Sequence, residues 1–112
     1  MTELYRCAEP TPPRPILDMA REASARITAL CETRDDCAHE VEGRGGKRSA
    51  RVNLPSIIDA AVSTLLEMAL DGRIPLAMRV EFGDMAEGCR AGYVRESWAL
   101  RVMRMAAEVA RG

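Results

Sequence analysis

The sequence predicts a mainly α domain of three helices with one or two short β-strands. Three observations predict it. Apolar residues recur at three- and four-residue spacing over three long stretches, strict alternation is confined to two short runs, and aromatic residues are scarce. Tyr5, Phe82, Tyr93 and Trp98 are the whole aromatic set, so the core must be assembled from Ala, Leu, Ile, Val and Met. Of these, Ala, Leu and Met carry good helix propensity. A chain of 112 residues has room for one core and no second one.

Residues 1–15 read as a proline-rich N-terminal arm. Glu9-Pro10-Thr11-Pro12-Pro13-Arg14-Pro15 has to be extended or turn-like, because proline blocks helix and restrains the residue before it. Residues 16–112 form the domain. Its first predicted helix runs from Ile16 to about Glu32, with Ile16, Ala20, Ala23, Ile27 and Leu30 on one face. Glu22 and Arg26 make a favourable pair one turn apart on the polar side. Residues 33–46 lack periodicity and end in Gly43-Arg44-Gly45-Gly46, which predicts a flexible loop.

A strand is expected at 47–54, where Arg48, Ala50, Val52 and Leu54 alternate with Lys47, Ser49, Arg51 and Asn53. The second helix is expected to start at Ser56, a good N-cap, and to stop at Asp71-Gly72. Apolar residues cover most of its circumference, so it is expected to be buried on more than one side. Ile58, Val62 and Leu66 are the residues this assigns to a homodimer interface. Leu76, Met78, Val80 and Phe82 alternate with Ala77, Arg79 and Glu81, a second strand at 76–82. Residues 83–92 look turn-rich. The third helix, about Tyr93 to Ala110, has Val94, Trp98, Val102, Met105 and Val109 as its inner stripe.

The net charge of −1 conceals an uneven distribution. Glu32, Asp35, Asp36, Glu40 and Glu42 face a single Arg34 in one segment. Arg44, Lys47, Arg48 and Arg51 have no acid among them in the next. Basic segments in a neutral chain are compatible with nucleic-acid contact. Residues 1–30 hold no uninterrupted apolar core, and no run approaches the ~20 residues of a membrane helix. With four cysteines, this predicts a cytoplasmic chain with reduced thiols and no membrane partner.

No constellation for catalysis emerges, so the chain is not expected to be an enzyme. Cys31, Cys37 and His39, with Cys7 or Cys89 as a fourth ligand, have suitable chemistry for zinc. Their Cys-x5-Cys-x-His spacing is not that of a zinc knuckle, and no metal or other cofactor is expected. A cysteine nucleophile with His39 as base would lack an orienting partner. Gly43 to Ser49 fails as a phosphate loop, because Arg48 stands where Ser or Thr must follow the lysine.

The stretch Ser49-Ala50-Arg51-Val52-Asn53-Leu54-Pro55, followed by an apolar helix and Gly72-Arg73, resembles the opening of ribbon-helix-helix DNA-binding proteins of the Arc and MetJ type. Gly92-Tyr93-Val94-Arg95-Glu96-Ser97 resembles the start of that family's second helix, whose N-terminus holds a phosphate. The resemblance implies a dimer whose paired strands enter the DNA major groove. It implies Ser49, Arg51 and Asn53 as base readers, Lys47 beside them, and Arg95 and Arg101 at phosphates. The family joins its helices by a tight turn, whereas about twenty residues intervene here. A strand-helix-strand unit, pairing 51–54 with 78–82 inside one monomer, is the alternative. Two functions follow from these readings: a dimeric DNA-binding regulator, or a small phage or mobile-element inhibitor that binds a host protein complex. The second has the size and lack of active-site chemistry of an anti-CRISPR protein, an analogy of composition alone.

Overall fold

The computed structural model describes residues 12–41 and 48–112, with the backbone alone at 39–41 and 48–52. Among the described residues the fold has four helices: α1 (Ile16–Val41), α2 (Arg48–Ala69), α3 (Leu76–Ala91) and α4 (Ser97–Arg111). Among the described residues there is no strand. Both predicted strands are therefore corrected to helix, and the three-helix count to four.

The physical reasons differ for the two runs. At 48–54 the helical phase of α2 extends backwards, because Leu54 stands at helical spacing from Ile57, Ile58, Ala61, Val62 and Leu65. Pro55 lies inside the helix, where it withholds one N–H from the ladder. Packing outweighs that local cost. At 76–82, Met78, Phe82, Met85, Ala86 and Cys89 repeat at helical spacing, straight through Gly83 and Gly88. The only glycine here that stops a helix is Gly92, whose φ of 83° is left-handed. Its N–H reaches the Cys89 carbonyl at 3.4 Å, while the N–H of Tyr93 reaches Gly88 at 2.8 Å.

α1 continues to Val41, nine residues past the end of its sequence periodicity. The helices run alternately up and down. α1 packs on α2 and α4, α2 packs on α3 as well, and α3 touches α4 lightly. One core joins them: Met19, Ala20, Ala23, Ile27 and Leu30 of α1, Ala61, Val62, Leu65 and Met68 of α2, Phe82 and Met85 of α3, and Val102 and Ala106 of α4. The inner stripes expected for the first and last helices lie against this core, with Val94 reaching it from the α3–α4 connection, because the last helix begins at Ser97 and not at about Tyr93.

Polar bridges set the register. Arg26 Nη1 donates to the Ala60 carbonyl at 3.0 Å and to the Thr64 hydroxyl, which itself donates to Ala60 at 3.0 Å. Thr64 is thus satisfied although only 1% exposed. Glu22 holds Arg26 from the next turn at 2.5 Å, the pair expected from sequence. Arg34 donates to the Val94 carbonyl, tying α1 to the α3–α4 connection. Arg73 donates to Asp71 at 2.6 Å and to the Arg14 carbonyl at 2.8 Å, closing the other end.

Candidate protein-binding surface

The residues singled out from sequence do not converge. Lys47 lies outside the described residues. Ser49 and Arg51 stand in the first turns of α2, followed by an exposed Asn53. On a helix, successive residues turn by 100°, so the outward alternation that made these three base readers is absent. Arg95 is exposed in the α3–α4 connection. Arg101 is engaged by Glu81 in a two-pronged pair, with Nε and Nη2 donating at 2.8 and 2.9 Å. That hydrogen bonding holds the Glu81 carboxyl below its ordinary pKa. Of the expected dimer residues, Val62 is 4% exposed inside its own core, while Ile58 and Leu66 are half-buried against it.

The thiols are equally dispersed. Cys31 and Cys89 are buried in the core and Cys37 is half-buried. Cys37 stands six positions after Cys31 on α1, about 9 Å along the axis and on a different face. Among the described residues no cluster of three His, Cys, Asp or Glu is arranged to hold a metal; Cys7 and the His39 side chain lie outside them. Burial pushes the Cys89 thiol up to about 11, with a smaller contribution from neighbouring Cys31, whose own pKa is raised by burial. A raised pKa is the reverse of what a nucleophilic thiol needs. It has a stability consequence instead. The folded state holds the Cys89 proton more tightly than the unfolded chain, so this contribution is intact below about pH 9 and lost as pH rises towards 11. Urea midpoints of the wild type should fall more steeply over that window than those of Cys89→Ala. Parallel curves would exclude the thiol as the cause.

Among the described residues, the fold leaves large apolar side chains uncovered in two places: Tyr93 and Leu100, in the α3–α4 connection and on α4, and three residues on the α2–α3 hairpin. Leu70, at the end of α2, is 78% exposed; Leu76 and Val80, one turn apart on α3, are 68% and 55% exposed. Arg79 Nε donates to the Ala69 carbonyl at 2.9 Å, which seats the start of α3 on the end of α2 and gathers these side chains at one end of the bundle. A shallow groove that Leu70 shares is lined by Val62 and Leu66 and by the polar Asp59, Ser63, Glu67 and Arg90. Sequence reasoning placed Leu76 and Val80 inward, on a strand. The signal that would have placed them outward is the helical set Met78, Phe82, Met85 and Cys89, which occupies the opposite side of a 100° wheel.

No family model, no curated protein and no solved structure matches the chain.

Proposed function

We propose that the chain is a non-enzymatic binding protein that works through protein–protein contacts made by the outer face of α3. The observation that carries this reading is the exposure of Leu70, Leu76 and Val80 on one α2–α3 hairpin, whereas the other exposed large aliphatic among the described residues, Leu100, stands alone on α4. Contiguous exposed apolar surface marks interaction sites, whereas single exposed aliphatics carry no such meaning. An inhibitor that occupies the surface of a larger complex belongs to this class.

A further feature supports protein over nucleic acid as the partner. The exposed surface of α2 and α3 carries Asp59, Glu67, Asp84 and Glu87, which repel a phosphate backbone.

The test is Leu76→Glu combined with Val80→Glu. Both side chains are exposed, so the double variant should fold with a stability loss of about 1 kcal/mol or less. The wild-type chain should recover a protein partner from nuclease-treated lysate, and the variant should lose it. Retention by the variant would defeat the reading, as would wild-type binding to duplex DNA that weakens steeply with salt.

A further inference from the structure

The outer stripe of α3 reads Leu76, Val80, Gly83, Glu87 and Arg90, alternating by four and three residues, which is the spacing of a coiled-coil seam. In that register Leu76 occupies a d position and Val80 an a position, and valine at a with leucine at d favours two parallel strands. Gly83 is the next d position. A Cβ built there meets nothing within 4 Å, so nothing inside the fold requires glycine at this point. A glycine in a helix interior is unfavourable, and it lets a neighbouring backbone come close.

The flanks of the stripe carry opposite charges. Arg79 lies on the side facing α2, where Nε is engaged by the Ala69 carbonyl and the rest of the guanidinium has no partner among the described residues. Asp84 lies on the side facing α4, beside Ser97 and Trp98, and it makes no ion pair or hydrogen bond among the described residues. These are a g and an e position five residues apart. In a parallel two-fold pair the g flank of one helix lies against the e flank of its mate, five residues on. Arg79 of each copy then meets Asp84 of the other, twice over. An antiparallel pair would set g against g and e against e, which brings the two Arg79 flanks together and leaves Asp84 without Arg79.

We infer that the partner of the α3 face is a second copy of this chain, packed parallel across a two-fold axis with Leu76, Val80 and Gly83 at the seam and reciprocal Arg79–Asp84 ion pairs on either side. This rests on reading that face as a protein-binding surface. Glu87, which follows at an a position, is held by Arg90 at 2.9 Å within its own helix. The two helices therefore cross at the apolar end and diverge beyond Gly83. So short a seam makes a weak dimer, with dissociation on the order of micromolar.

Sedimentation of the whole chain over a concentration series tests it. The wild type should pass from monomer to dimer, and added salt should favour monomer. Asp84→Arg sets like charges against Arg79 and should weaken association on the order of tenfold or more; Asp84→Asn should weaken it less. Arg79→Glu together with Asp84→Arg should restore it, and so should mixing the Arg79→Glu and Asp84→Arg chains. Circular dichroism confirms that each variant is folded. A chain that stays monomeric at every concentration overturns the proposal, as does a dimer indifferent to Asp84→Arg. Should that monomer capture a different protein that the Leu76→Glu, Val80→Glu variant loses, the surface reading survives and only the second copy is excluded. Capture insensitive to that variant would remove both.

Discussion

Replacing Phe82 by alanine is expected to destabilise the chain by about 3–5 kcal/mol, because it removes the largest fully buried side chain and leaves a cavity in the core. Phe82 is 1% exposed and lies in the core with residues of α1, α2 and α4. It is also the only phenylalanine, in a core otherwise built of aliphatic residues and small side chains. A domain of this size has a total stability of about 5–15 kcal/mol, so a substantial unfolded fraction is expected at ambient temperature. Phe82→Leu should cost less, since it keeps most of the volume. Urea unfolding monitored by circular dichroism gives both values, and equal midpoints for Phe82→Ala and wild type would mean that Phe82 is not central.

Phe82 also shows how far the fold was legible in sequence. Alternation puts it on one side of a strand with Leu76, Met78 and Val80; on the helix it is buried while Leu76 and Val80 are exposed. Over seven residues, alternation and helical spacing share some positions: Met78 and Phe82 satisfy both. The two periods part company only when Met85, Ala86 and Cys89 are included, and Gly83 and Gly88 discouraged extending the helix that far. The same happened at 48–54, where Pro55 suggested a boundary that tertiary packing overrides. The first and last helices posed no such conflict. Their inner stripes, Ala20 to Leu30 and Trp98 to Val109, lie against the core as read, with Val94 reaching it from the connection before the last helix. The continuation of α1 through 33–41 had no apolar signal to announce it, since its sequence is acidic. The candidate surface was hidden for the same reason as α3: a residue read as core cannot also be read as contact.

The conflict at Gly88 has a mechanical source, and it supplies the second large effect. A Cβ built on Gly88 would stand 2.4 Å from Cη2 and 3.0 Å from Cζ3 of the Trp98 ring. The ring therefore occupies the space that any other residue at 88 would need, and it wedges α4 against α3 where their axes otherwise barely meet. Glycine at this interior helical position costs about 0.8–1 kcal/mol relative to alanine, an expense that only the Trp98 contact offsets. Gly88→Leu should accordingly expel the ring and lower stability by about 2–4 kcal/mol, combining overpacking with lost aromatic burial, less the helix-propensity gain. Trp98 is the sole tryptophan, so its emission reports the event directly and should shift to the red in the native state. The decisive arm is a double-mutant cycle. With Trp98→Ala already in place the obstruction is gone, and Gly88→Ala should then stabilise by about 0.8–1 kcal/mol, where in the wild-type background it destabilises. A substitution at Gly88 with the same sign in both backgrounds would show that the indole ring is not what holds glycine there.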